Sequence, residues 1–160
     1  MRSVPADVPT SRPVQIVPSV LPADMSRLGE ACADLERAGV DRIQFDVMDG
    51  RFVPNLTFGP DVIAACRKHV EVPFEAHLMV EAPDELLPRY VEAGCGLVIV
   101  HAEACLHLHR TLGHIAEAGA AAAPAMVAGP MPPSTSMSTS WPPSTIMRRT
   151  WAIFGSMVAM

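Results

Sequence analysis

Between residues 14 and 119 the apolar positions switch back and forth between a strand pattern and a helix pattern. Val14-Gln15-Ile16-Val17 reads as a short strand that ends at Pro18. Ala23-Asp24 then opens a helix, with Asp24 placed to cap it, and Leu28, Cys32 and Leu35 recur at helical spacing until Gly39 stops it. Arg42 to Val47 is a second strand, followed by a loop over 50–60 and a short helix over 61–69. Pro73 to Met79 is the third strand, and Pro83 suits the first turn of a helix ending near Gly94. Leu97-Val98-Ile99-Val100 is a fourth strand, apolar throughout, as expected where both sheet faces are covered. Leu106 to Ala118 is a fourth helix, closed by Gly119. Strands that alternate with helices predict an α/β fold, a parallel sheet with helices outside it. Right-handed crossovers leave two outcomes, an open doubly wound sheet or a barrel in progress. No Gly-x-Gly-x-x-Gly follows the first strand, which argues against a dinucleotide site.

Composition changes the picture at Gly119. All 17 Asp and Glu precede Ala120, and of the 12 Lys and Arg only Arg148 and Arg149 follow it. Pro130 to Ser144 is dense in Pro, Ser, Thr and Met and shows neither period. Three segments are therefore expected: a polar extension over 1–13, a partial β/α domain over 14–119, and a low-complexity tail over 120–160, disordered or encoded out of frame. With 160 residues the chain is shorter than the about 200 to 250 that a complete (β/α)8 barrel needs. The expectation is a half-barrel whose open sheet edges a homo-oligomer would cover.

Charge and cysteine content mainly exclude. Apolar residues make up 49% and net charge is −5, which fits a globular chain with no basic patch for nucleic acid or an anionic membrane. The N-terminus lacks the apolar run of a signal peptide, and the apolar end from Trp151 to Met160 is far short of a bilayer span of about 20 residues. The four cysteines, Cys32, Cys66, Cys95 and Cys105, form no CxxC pair and read as reduced, mostly buried thiols. The expected compartment is the cytoplasm.

The candidate chemistry sits at strand ends. Asp46 closes the second strand in Phe45-Asp46-Val47-Met48-Asp49-Gly50, and His77 closes the third in Ala76-His77-Leu78-Met79. Taken singly, Asp46 could be a loop cap and His77 a satisfied core residue. Their place at the same end of adjacent strands favours a joint role, and the pair suits zinc, iron(II), manganese or cobalt. Ser19, just past the first strand, has a hydroxyl for a substrate oxygen or for a turn. Met48 and Met79 are either an apolar floor beside the site or core filler. His101 and Glu103 end the fourth strand, where they can orient neighbours. His107, His109 and His114 read as a solvated helix face, and Asn55-Leu56-Thr57 as an incidental sequon.

Val17-Pro18-Ser19-Val20-Leu21, the Asp46 segment, His77-Leu78-Met79-Val80 and His101-Ala102-Glu103-Ala104 occur in an order and spacing that resemble the ribulose-phosphate 3-epimerase family, over residues 14–119. The resemblance implies a (β/α)8 TIM barrel of the ribulose-phosphate-binding kind, with the first four β/α units present. It implies an isomerase of the pentose phosphate pathway, interconverting D-ribulose 5-phosphate and D-xylulose 5-phosphate by metal-assisted proton transfer at C3. By the same resemblance Asp46 is one of two acid/base aspartates and a metal ligand. His77 is a metal ligand at the substrate, Ser19 contacts substrate, and Met48 and Met79 flank the reacting carbons. Gln44 stands where the family usually has another metal-binding histidine, so its ligand role is weaker. Nothing after Gly119 matches the second catalytic aspartate or the phosphate-holding loops, so the chain alone is expected to be inactive. The other readings are a non-catalytic half-barrel and an epimerase for a six-carbon ketose phosphate.

Overall fold

Successive side chains on a strand point to opposite faces, so a strand that packs helices on one face sorts its residues by parity. The computed structural model describes residues 14–126 and shows that sorting. Four strands, β1 (Ile43–Met48), β2 (Phe74–Met79), β3 (Cys95–His101) and β4 (Ala121–Ala125), form one parallel sheet in the order β1-β2-β3-β4. Helices α1 (Leu28–Arg37), α2 (Pro60–Arg67), α3 (Leu87–Glu92) and α4 (Leu108–Glu117) alternate with them. Neighbouring strands in chain order with helical crossovers are the arrangement of consecutive units in a TIM barrel. Among the described residues the sheet does not close. The chain divides into a unit Met1–Ala125 and a unit Met126–Met160, and the described residues belong to the first except for Met126.

The helix-facing parity builds the core. Ile43, Phe45 and Val47 of β1, Phe74, Ala76 and Leu78 of β2, and Val98 and Val100 of β3 are buried with Leu28, Cys32, Ile63, Cys66, Leu87 and Ile115 from the helices. Phe45 packs tilted on Phe74 at 4.7 Å and edge-on to Phe58 at 5.8 Å between ring centroids. The opposite parity, Gln44, Asp46 and Met48, then Glu75, His77 and Met79, then His101, is polar at its centre and nonetheless buried. Leu97 and Ile99 share that face and are half-buried, so β3 is fully covered only on its helix side.

The helix stops lie where the sequence puts them. Asp24 accepts from the Ser26 N–H at 2.9 Å and caps a 3-10 turn (Met25–Arg27) that leads into α1. Gly39, Gly94 and Gly119, after α1, α3 and α4, are all left-handed.

Two elements differ from the sequence expectation. Residues 14–17 are not a strand. The segment meets β1 through one parallel bridge, Ser19 to Gln44, built on Gln44 N–H to Pro18 O (2.9 Å) and Val20 N–H to Gln44 O (3.1 Å). The next rung of a parallel ladder needs an N–H at position 18, and proline has none. At the other end the sheet continues past Gly119. Residues Ala121–Ala125 pair with Leu97–His101, although a run of alanines with Pro124 carries little strand propensity of its own. Pro130–Ser144 and the 1–13 extension lie outside the described residues.

Candidate functional site

Asp46 and His77 are register partners on β1 and β2, three residues along each ladder from Ile43 and Phe74. Parallel partners share a face, so their side chains meet: His77 Nδ1 lies 3.0 Å from Asp46 Oδ1, both side chains buried. Gln44, two residues back on the same face, gives its amide Nε2–H to the same oxygen at 2.8 Å. The Ser19 hydroxyl donates to Asp46 Oδ2, and Ser19 Oγ in turn accepts the Leu21 N–H at 3.1 Å. The proline-limited bridge of Ser19 to Gln44 thus delivers that hydroxyl to the carboxylate.

Burial alone would raise the Asp46 carboxyl. The hydrogen bonds from His77 and Ser19, the His77 charge and the Gln44 amide outweigh it and hold Asp46 below the ordinary carboxylate range. Glu75, on the same face of β2, is pushed up by burial, against the opposing pull of Arg42 and His77. Two buried carboxyl groups on one face therefore shift in opposite directions, Asp46 down through its hydrogen bonds and Glu75 up through burial.

The site also takes in His101, which the sequence placed at the end of the fourth strand, together with residues it did not assign to the site. His77 Nε2 lies 2.9 Å from His101 Nε2, the two rings nearly parallel with centroids 5.0 Å apart. Phe52, from the loop after β1, packs against His101 at 5.0 Å. Thr57 Oγ1 donates to Asp46 O at 2.8 Å and accepts the Met48 N–H at 2.9 Å, so the sequon threonine fixes the backbone end of β1. Asp49 takes the N–H groups of Arg51 and Phe52 on one oxygen and of Glu81 on the other, tying the loop after β1 to the loop after β2. Met48 and Met79 are register partners, buried, one step further along the Asp46 face. His107, His109 and His114 stand apart on the outer helix, where His114 pairs with Asp84 at 3.2 Å. The four cysteines are free.

Asp46 Oδ1 and His77 Nδ1 are an oxygen and an imidazole nitrogen at a separation close to that of adjacent ligands bound at about 2.1 Å. They fit two positions on one divalent cation. Among the described residues no group of three or more His, Cys, Asp or Glu is arranged around a common metal position. Gln44 presents its amide nitrogen to Asp46, so as placed it orients the carboxylate as a donor. Among the described residues no helix is long and apolar enough to cross a membrane.

The sequence model of the ribulose-phosphate 3 epimerase family matches residues 15–139. The ribulose-phosphate 3-epimerase of Bacillus subtilis is 47% identical over 106 residues, covering 66% of this chain and 49% of that protein. That of Rhodobacter capsulatus is 45% identical over 108 residues, 68% of this chain and 47% of that protein. The chloroplastic ribulose-5-phosphate-3-epimerase of Arabidopsis thaliana is 45% identical over 109 residues, 67% and 39%. The chain spans about half the length of the curated relatives it matches. A 7,8-dihydropteroate synthase structure from Vibrio fischeri superposes with a TM-score of 0.54 at 15% identity, over 87% of this chain and 54% of that one, a likeness of fold alone.

Proposed function

Because the chain belongs to the ribulose-phosphate 3-epimerase family, we propose that its Asp46 face is one side of an epimerase site that moves the C3 proton between D-ribulose 5-phosphate and D-xylulose 5-phosphate. The observation that carries this reading is the Asp46 carboxylate. It is buried on a strand end, kept ionised by Ser19, Gln44 and His77, and aimed at the face that Met48 and Met79 floor. An ionised carboxylate in a dry site can take a proton from a carbon next to a ketone. The buried methionines keep water from the carbanion-like centre. Ser19 meets substrate as well as Asp46.

Asp46 and His77 hold a divalent cation, zinc, iron(II), manganese or cobalt, in this reading; such a cation polarises the ketone and stabilises the negative charge left after proton removal. Inversion needs a proton returned to the opposite face of C3. Asp46 serves one face, so the second donor and the phosphate anchor come from outside the described residues. Residues 14–126 act as the front part of a barrel and do not turn substrate over alone.

The test is a coupled assay on D-ribulose 5-phosphate with divalent cation added. The 160-residue chain alone is expected to be silent, and a fusion of its residues 1–125 to a family C-terminal half is expected to be active. Asp46→Asn in that fusion should lower kcat by about 10²- to 10⁴-fold, the usual scale for a general base. A fusion that keeps full turnover with Asp46→Asn sinks the assignment.

A further inference from the structure

Glu75 is a carboxyl group that the site does not use. It is 6% exposed and lies one row below Asp46 on the same sheet face. Its row runs Gln44, Glu75, Leu97, Ala121 across the four strands. Asp46 has Ser19, Gln44 and His77 around its oxygens. Glu75 has no such set: among the described residues it accepts no hydrogen bond and forms no ion pair. Gln44, its neighbour on β1, turns its amide nitrogen to Asp46. Leu97 and Ala121 offer no side-chain donor. Arg42, at the start of β1, favours the charged form of Glu75 through space without pairing with it. A buried carboxylate normally has a donor or a cation, because removing it from water is costly otherwise.

The open side of this row shows where a partner can enter. Leu97 and Ile99 on β3 are only half-buried on this face. The inward side chains of β4 are Ala121, Ala123 and Ala125, the register partners of Leu97, Ile99 and His101. Three alanines leave the face low beside Glu75 and put no bulky side chain across the path. In a closed barrel the inward side chains of all the strands meet in layers, so the strands beyond β4 supply the rest of this layer. Lys and Arg have stems long enough to cross such a gap and carry several donors for a carboxylate.

We propose that Glu75 anchors the half of the barrel that completes the sheet, by receiving a Lys or Arg side chain that points inward from a strand beyond β4. The inference rests on the reading that residues 14–126 are the front part of a barrel. Pairing Glu75 also selects the register of the added half. A strand slipped by one residue turns its cation to the helix side and leaves the carboxylate buried and alone.

The experiment compares denaturant midpoints of the 160-residue chain and of the fusion of its residues 1–125 to a family C-terminal half. Glu75→Gln should raise the midpoint of the 160-residue chain, where the carboxylate has no partner, and lower it in the fusion, where it has one. In the fusion, each inward Lys or Arg of the added half is replaced in turn by Met. One of these variants should match the loss from Glu75→Gln, and combining the two should add little further loss. A rise with Glu75→Gln in both proteins, or no Lys or Arg coupled to it, overturns the proposal. An inactive fusion that shows the coupling sinks the epimerase reading and leaves the anchor standing. If the fusion does not fold, a cycle within the 160-residue chain decides. Leu97→Lys sets an ammonium beside Glu75 on the neighbouring strand and should be better tolerated with Glu75 than with Glu75→Gln. Equal cost in both backgrounds shows that Glu75 does not take up a cation and overturns the proposal.

Discussion

His77 and His101 meet Nε2 to Nε2 at 2.9 Å because the β2–β3 ladder slips by one residue at its start. Phe74 pairs with Cys95, yet Glu75 pairs with Leu97, leaving Gly96 as the extra residue of a bulge. Without the slip His77 would face Val98, and His101, an odd number of residues further on, would point to the helix side. With it His77 faces Ile99, and His101 falls on the Asp46 face. One inserted residue thus moves an imidazole from the core to the site.

Asp49 should make the site loops acid-sensitive. Burial pushes its carboxyl up, but the N–H groups of Arg51, Glu81 and Phe52 outweigh that and hold it below its ordinary value of 3.8. A depressed carboxyl adds stability that is fully present above the unfolded value and is lost as pH falls through the lower folded value. The loops after β1 and β2 should therefore loosen together at strongly acid pH, seen as faster amide exchange at Arg51, Phe52 and Glu81. Asp49→Asn turns an acceptor oxygen into a donor facing an N–H and should cost about 1–3 kcal/mol at neutral pH. If those three amides exchange independently of one another in acid, Asp49 is not what joins the loops.

Gly94 is fixed by backbone and by space at once. Its φ is +101°, and an added Cβ would stand 2.7 Å from Arg67 Cδ. Arg67 has little freedom to yield. Its guanidinium bonds Val72 O at 2.8 Å and Val70 O, and lies 4.2 Å over the Phe74 ring. Gly94→Ala should cost about 1–3 kcal/mol in denaturant unfolding. In an Arg67→Ala background the cost should fall to the backbone part alone, about 1–2 kcal/mol. Equal costs in both backgrounds would mean that the clash contributes nothing.

The parts of the fold that repeat a period were legible in the sequence, and the parts set by pairing were not. Asp46 and His77 could be placed at the same end of adjacent strands because β1 and β2 pair without a slip, so counting along the chain suffices. His101 could be placed at a strand end but not beside His77, since the slip at Gly96 leaves no trace in hydrophobic pattern. A glycine inside an apolar run is the one local hint of a bulge. The strand expected at Val14–Val17 fails through a missing donor at Pro18, which apolar periodicity does not weigh. Ala121–Ala125 is a strand through the ladder offered by β3, not through its own residues. Ser19 was placed just after the first segment, but its hydroxyl bond to Asp46 depends on that single bridge to Gln44.

Gln44 is where a single substitution should most change what the site can hold. Its amide lies 2.8 Å from Asp46 Oδ1, 7% exposed, on the same strand face as Asp46 and close to the proposed cation position. As an N–H donor it keeps the carboxylate ionised and aimed. As a ligand it has only a neutral amide oxygen, weaker toward a transition metal than an imidazole. Gln44→His can still donate one ring N–H to Asp46 or, after rotation, offer a nitrogen to the cation. It should tighten zinc binding by at least about tenfold, or about 1.4 kcal/mol, in calorimetric titration. Gln44→Leu removes a buried donor to a charged group and should cost about 1.5–3 kcal/mol of stability. Should Gln44→His leave zinc affinity unchanged while Gln44→Leu destabilises, position 44 serves the carboxylate alone, and the cation must draw its further ligands from elsewhere. A tighter zinc complex in Gln44→His, with Asp46→Asn abolishing the gain, would mean that the strand end accepts a three-ligand set and that the native glutamine holds the site at a weaker affinity.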